Sequence, residues 1–310
     1  MLENVLEGKN ALFETGMQTV LRGQENRYRR IVVQNGNVVQ NARSEQNGVS
    51  ANVYKNGVNG FASIAEYTGA AAEQVLKAAT ENAQYLNKYT RNKKAALPDY
   101  RTGWITSKGV ILDIEQKKLV DMCMEIDAYI GKTYSKLSNR MVIYREDTME
   151  KIIYTSDACN GHVVYPRFAL YVVIGMESKE GEPLELTECF GGYGNINDNP
   201  VPMKEVQEKV ERLYKRICDK AEGVYAEAGV KTVILDSDVA GMIAHEAVGH
   251  TVEADLVLGG SVAASNLGKQ VASEKISIVD YAHTVGEEMA PLPVFLDDEG
   301  VEAKDAVLVE

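Results

Sequence analysis

The chain has 310 residues, a formal charge of −12, 45% apolar and 25% charged residues, a composition ordinary for globular protein in one large domain or two smaller ones. The acidic balance argues against nucleic acid as the main partner, since phosphate binding needs clustered Lys and Arg, and it disfavours an anionic membrane surface. No apolar run approaches the roughly 18 residues of a membrane-crossing helix. Residues 1–7 have neither the basic start nor the apolar core of a signal peptide. The four cysteines, Cys123, Cys159, Cys189 and Cys218, are widely spread without a CxxC pair. They read as reduced thiols in a cytoplasmic protein.

In chain order, residues 1–23 place Leu2, Val5, Leu6, Leu12, Met17 and Leu21 at roughly helical spacing, which predicts a first helix. Residues 29–40 change period. Ile31-Val32-Val33 and Val38-Val39 flank Asn35-Gly36, a strong hairpin signal. A third strand is expected over 48–54, then a second turn at Asn56-Gly57 and a fourth strand near 60–63. An amphipathic helix follows over 70–89. A linker is expected at 88–99, ending near Pro98. Its basic residues Arg91, Lys93 and Lys94, like the earlier Arg27, Arg29 and Arg30, read as solvated surface. Trp104 reads as a packing residue.

A second helix is expected over 113–130, followed by three strand-like runs at 142–145, 150–156 and 166–176. Between the last two, Cys159 and His162 form a Cys-x-x-His pair. With Asp157, Asn160 and Gly161 around it, the segment reads as a β-turn in preference to a metal site. Residues 190–195, Phe-Gly-Gly-Tyr-Gly-Asn, resemble a phosphate loop only superficially, lacking its basic residue and its strand–turn–helix context. They are expected to form a flexible surface loop. A long helix over 203–226 has Val206, Val210, Leu213, Tyr214 and Ile217 on its buried side.

From about residue 228 the organisation changes. Residues 231–236 read as a continuous apolar strand, and Asp236 can cap a helix beginning near Val239. Val239, Met242 and Ile243 would bury one face of that helix. Its other face carries His245-Glu246-Ala247-Val248-Gly249-His250. Neutral imidazoles are good zinc ligands, and a carboxylate beside them can take a proton from water. The spacing is one residue longer than the His-Glu-x-x-His of many metalloproteases. On a regular α-helix an i, i+5 pair lies about 140° apart around the axis, against about 40° for i, i+4. Convergence therefore predicts a widened π-type turn at residues 247–250, with Gly249 giving the backbone room to adopt it. Taken alone, the pair reads equally well as metal ligands or as hydrogen-bonded core histidines.

The sequence resembles the TldD/PmbA metalloproteases. The likeness is carried by residues 245–255, His-Glu-Ala-Val-Gly-His-Thr-Val-Glu-Ala-Asp, with residues 228–235 before them. After them come Gly268, Val271-Ala272-Ser273, Ile278-Val279-Asp280 and Asp297-Asp298-Glu299-Gly300-Val301. Residues 48–54, Gly57 and Gly60-Phe61-Ala62-Ser63 add to it near the amino terminus.

The resemblance implies a zinc-dependent peptidase acting on short or unfolded peptides, working as a homodimer or as a heterodimer with a related subunit. His245 and His250 would hold the ion and Glu246 would act as base and acid. Chains of this family continue past the Asp-Asp-Glu-Gly segment, and their third zinc ligand is a cysteine there. This chain is accordingly expected to be carboxy-truncated, inactive alone and possessed of little or no zinc. Within the sequence Glu253, at i+3 from His250, is the nearest substitute ligand. Glu253 and Asp255 are otherwise expected to orient the imidazoles, and His283 is a weaker candidate. The alternative is a non-catalytic peptide-binding or scaffold subunit of the same family. The fold class expected is α+β, with antiparallel sheets and packed helices in an amino-terminal domain over 1–226 (sub-regions 1–95 and 100–226). Residues 227–310 would begin a mostly-β metalloprotease domain carrying the motif helix.

Overall fold

The computed structural model describes residues 2–91, 103–109 and 113–310. Most of the expected linker, with Lys93, Lys94 and Pro98, lies outside the described residues. The chain divides into two compact units, one comprising Met1–Gly223 and Met289–Ala303, the other Val224–Glu288 and Lys304–Glu310.

The first unit is an α+β structure built on one mainly antiparallel sheet. The predicted first helix is absent: residues before the first strand form only a short turn of helix at Lys9–Leu12. Gly8 and Gly16 interrupt the stretch at φ +76° and +78°, outside the right-handed helical region. From residue 17 the buried positions follow a period of two, Met17 just before the first strand and Leu21 within it. Strand β1, Gln18–Gln34, turns at Asn35-Gly36 into β2, Asn37–Lys55. Both turn residues have positive φ, 47° and 83°, as a type I′ hairpin requires. The turn at Asn56-Gly57 repeats this at 53° and 91° and leads to β3, Val58–Ile64. The strands expected around Val38 and over 48–54 are one continuous strand. The polar stretch between them has no apolar alternation, yet its backbone is hydrogen-bonded along β1 with Arg30 opposite Ala42 and Gln24 opposite Gly48.

Helix α1, Gly69–Tyr89, starts where the Thr68 hydroxyl accepts from Ala71 N–H at 3.1 Å. It buries Ala72, Val75, Leu76, Ala79 and Ala83. Strand β4, Gly103–Lys108, precedes helix α2, Gln116–Thr133. Trp104 is half exposed and meets the Tyr154 ring edge-on with centroids 5.7 Å apart. The runs expected at 142–145 and 150–156 are one strand, β5, Asn139–Thr155, followed by β6, Cys159–Glu177. β7, Pro183–Tyr193, and α3, Met203–Ala221, complete the unit. The strand order is β3-β2-β1-β5-β6-β4, with β7 also on β6. β4 is parallel to β6 and the other neighbours are antiparallel.

All three helices lie on one face of the sheet. α1 covers Leu21, Val49, Ala51 and Ile152, and α2 and α3 cover Ile31, Val33, Tyr144, Leu170 and Val172. Between these two cores runs a polar belt in which Glu25 stands opposite Glu150 and Arg29 opposite Glu146. Arg29, 5% exposed, donates to the Ile114 carbonyl at 2.8 Å and to Asp113 at 3.0 Å, so its buried charge is paired.

The other face is crossed by residues 289–303. Leu296 packs on Ile153, Val163 and Tyr165, and the Tyr165 hydroxyl accepts from the backbone N–H groups of Phe295 and Leu296, each at 3.0 Å. Buried Lys151 donates to the carbonyls of Leu296 and Asp297 and to the Asp298 carboxylate at 2.8, 3.1 and 2.9 Å. Residues 190–195 are no flexible loop. Phe190 and Asn195 are buried, and Gly191 lies in β7 with no room for a Cβ, which would sit 2.3 Å from the Phe168 carbonyl oxygen.

In the second unit, residues 231–236 are neither a strand nor buried. A strand needs a neighbour for its backbone groups, and none of the described strands pairs with this segment. Short strands Ile278–Asp280 and Ala306–Val309 pair antiparallel. Among the described residues no helix is long and apolar enough to cross a membrane.

Helix α1 passes close over the sheet at Gly60, where a Cβ would lie 2.2 Å from Ala79 O and 2.4 Å from Ala83 N. Gly60→Ala must push α1 off β3, and the expected loss is about 1–3 kcal/mol of stability, read as a lower urea midpoint. An unchanged midpoint would show that α1 does not pack this closely.

Candidate metal centre

The candidate centre lies in the second unit and is built by local backbone geometry. Asp236 caps α4, Ser237–Ala244, by accepting from Val239 N–H at 3.0 Å. Capping groups of this kind satisfy N–H donors that no helical carbonyl can reach. The next five residues, His245–Gly249, form one π-turn. His250 N–H donates to the His245 carbonyl, closing the i→i+5 ring of that geometry. One further helical turn, His250–Val252, ends at Glu253, whose ψ of 134° is extended.

The widened turn brings the two imidazoles together. Their centroids are 4.5 Å apart with planes inclined at 68°. A ligand atom from each of His245, Glu246 and His250 lies within 4.8 Å of the other two, and Glu246 Oε2 is 3.8 Å from His250 Nε2. His250 Nδ1 meets the Glu253 carboxylate at 2.7 Å. With the Nδ1 proton donated there, Nε2 keeps its lone pair for a ligand or metal, the arrangement common behind metal-binding histidines. Zinc bonds of about 2.0–2.2 Å to nitrogen and oxygen set ligand atoms somewhat closer than 4.8 Å in a tetrahedron, a difference within reach of side-chain rotation. Two nitrogens and a carboxylate, exposed and converging, fit a divalent ion of the zinc type.

Asp255 is not drawn into the cluster. Its carboxylate accepts from Leu256 N–H at 2.9 Å at the start of Ala254–Leu258. Among the described residues no cysteine belongs to the cluster, nor does His283. Cys159 and His162 are held apart: the Cys159 thiol donates to the Gly300 carbonyl and His162 Nε2 meets Glu150 at 2.8 Å. The expected turn is confined to residues 156–158, with Ala158 N–H donating to Thr155 O at 3.2 Å, and Cys159 and His162 themselves lie in β6. Burial pushes the Cys123 thiol up to about 12, well away from thiolate chemistry.

The chain is similar to known proteins along most of its length. Residues 228–310 match the model described as the PmbA/TldA metallopeptidase C-terminal domain, and residues 20–83 match that for PmbA/TldA metallopeptidase domain 1. The chain belongs to the PmbA/TldD family. The histidine cluster lies within the first of these matches. A metalloprotease of Methanocaldococcus jannaschii is 32% identical over 98% of this chain and 66% of its own length. A protein of Saccharolobus solfataricus named zinc metalloprotease TldD homolog is 26% identical over 63% of this chain and 42% of its own length. This family member thus spans just under two thirds of the first relative. Its fold is similar to that of TldE from Thermococcus kodakarensis, with a TM-score of 0.64 at 15% identity over 99% of this chain and 67% of that one.

Two expectations about the motif helix change. Val239, Met242 and Ile243 are 42%, 63% and 48% exposed, so no part of the described chain buries that face. Gly249 sits at φ −49° and ψ −59°, a right-handed conformation open to any L-residue. A Cβ there would approach nothing nearer than His245 Nδ1, at 3.8 Å. The π-turn therefore does not need glycine. Gly249→Ala is expected to leave stability unchanged or raise it by about 0.5–1 kcal/mol in thermal unfolding. A clear loss would mean that the backbone samples a conformation there that only glycine allows.

Proposed function

We propose that this chain carries the metal-binding portion of a zinc-dependent peptidase that cleaves short or unfolded peptides. The single observation carrying the reading is the convergence of His245, Glu246 and His250 on one side of a π-turn. In this reading His245 and His250 hold the ion, which when bound supplies the Lewis acidity that makes water nucleophilic at neutral pH. Glu246 takes a proton from the attacking water and returns one to the departing amine as the carbon–nitrogen bond breaks. Glu253 holds the His250 ring and its tautomer through the 2.7 Å contact at Nδ1. Asp255 acts further out, by starting the helical turn after the motif.

Catalytic zinc ordinarily takes three protein ligands and a water, so we place the third ligand outside the 245–253 stretch, as the family resemblance implies with its cysteine. The same resemblance supports a dimeric assembly working on peptides, and the widely spread cysteines support a cytoplasmic setting. The name zinc metalloprotease borne by the Saccharolobus solfataricus relative supports the choice of ion.

Zinc titration by calorimetry tests the ligand assignment. His245→Ala and His250→Ala are expected to lose the site, while Glu246→Gln keeps the ion and, in the assembled enzyme, lowers peptide hydrolysis by about 10²–10⁴-fold. Undiminished hydrolysis would remove Glu246 from the mechanism. Glu253→Gln is expected to weaken zinc binding by about 10–100-fold, whereas an unchanged affinity would make the contact to His250 incidental.

A further inference from the structure

The helix-free face of the sheet carries a cleft that the peptidase reading does not use. In β5 and β6 the side chains of Tyr144 and Phe168 point into the helix-covered core, and alternation sends Arg145, Asp147, Arg167 and Ala169 to the opposite face. The cleft encloses about 360 Å³ and is lined by Arg145, Asp147, Arg167, Tyr171, Pro291 and Leu292, within the size range of ligand pockets.

Register explains its shape. Ala169 stands opposite Gly191, so the floor is a pair of residues with almost no side chain. Arg167, opposite Tyr193, stands on one side and Tyr171, opposite Cys189, on the other. Pro291 and Leu292 form an apolar wall, and a Cβ on Gly192 would come 4.0 Å from Pro291 Cα.

Register also explains its charge. Arg167 and Arg145 both approach one Asp147 carboxylate oxygen, at 3.0 and 3.6 Å. Arg145 lies over the Tyr28 ring, 5.3 Å from its centroid. Asp147 is the single acid among the lining residues, so two guanidiniums share one carboxylate. In the next row Arg30 faces Arg145 directly across β1 and β5, with Ala42 beyond one and Ala169 beyond the other. Like charges directly opposite in a sheet are destabilising, and that row contains no acid to offset them. A chain with a formal charge of −12 thus concentrates positive charge beside an apolar wall on one sheet face.

We propose that this cleft binds the carboxylate end of a peptide whose last side chain is apolar. The guanidiniums supply the planar, forked donors that match a carboxylate. The Ala169–Gly191 floor leaves room for the terminal residue, and Pro291 and Leu292 receive its side chain. The lining carries one excess positive charge, which a single carboxylate neutralises, whereas a phosphate dianion beside Asp147 would leave the cleft negative. The site stands on the first unit alone and does not depend on metal at the histidine centre.

The test is fluorescence anisotropy of alanyl-alanyl-leucine labelled at its amino end, with a free carboxylate or a terminal amide, added to the 310-residue chain with and without EDTA. The acid is expected to bind equally in both buffers and the amide at least about tenfold more weakly. Arg167→Gln and Arg145→Gln are each expected to weaken the acid by about tenfold and to leave the amide unaffected. Asp147→Asn, which removes the competing carboxylate, should tighten the acid, a gain that general damage to the fold would not produce. Equal binding of acid and amide overturns the proposal, as does weaker binding in Asp147→Asn. Displacement by inorganic phosphate at lower concentration than by acetate overturns the assignment to carboxylate.

Discussion

The hydrogen bond from His250 N–H to the His245 carbonyl closes one residue later than the bond of an α-helix, and the candidate centre depends on it. With ordinary helical bonding the two imidazoles would point about 140° apart. The single inserted residue turns them toward each other, to a centroid distance of 4.5 Å, and puts Glu246 beside them. The break at Glu253 then has a second effect, because the chain leaves the helix there with its carboxylate against His250 Nδ1. Insertion, convergence and ring orientation all arise from backbone geometry over nine residues.

Everything else in the second unit gives that segment little cover. The apolar residues of α4 are open, and the segment before it has no strand partner among those described. The first unit has the opposite character. A sheet with strands of up to 19 residues is covered by three helices on one face and by residues 289–303 on the other. Leu296, Lys151 and Tyr165 hold that crossing segment with both apolar contact and hydrogen bonds to its backbone. Its earlier residues, Pro291 and Leu292, wall the arginine cleft, so the packing that secures the segment also shapes the cleft.

Local chemistry explains why some elements were legible in the residues alone. Asn35-Gly36 and Asn56-Gly57 form hairpin turns because both residues of each pair adopt positive φ at little cost. The helices α1, α2 and α3 announce themselves by apolar residues recurring on one side. The π-turn was legible for a different reason: two histidines five apart can share an ion only if the helix widens. The misreadings share a cause too. Leu2, Val5 and Leu6 have helical spacing, but the residues after Met17 form a strand that pairs on one side with the hairpin partner β2 and on the other with β5, more than a hundred residues along the chain. The polar residues joining the two runs of β2 look like a loop until β1 supplies their hydrogen bonds. Residues 190–195 look mobile because they are glycine-rich, whereas glycine is the residue that lets β7 pass close to Phe168.

The sequence by itself determined the turns, the principal helices, the family and the candidate triad of His245, Glu246 and His250, since each is set by residue type and spacing over a few positions. Tertiary structure decided which runs fuse into single strands, whereas the local backbone break at Glu253 separated the roles of Glu253 and Asp255. Tertiary structure also decided that Arg145, Arg167 and Asp147 meet beside Pro291 and Leu292. Those tertiary outcomes rest on strand register and, for Pro291 and Leu292, on packing against residues more than a hundred positions away, and no local pattern encodes them.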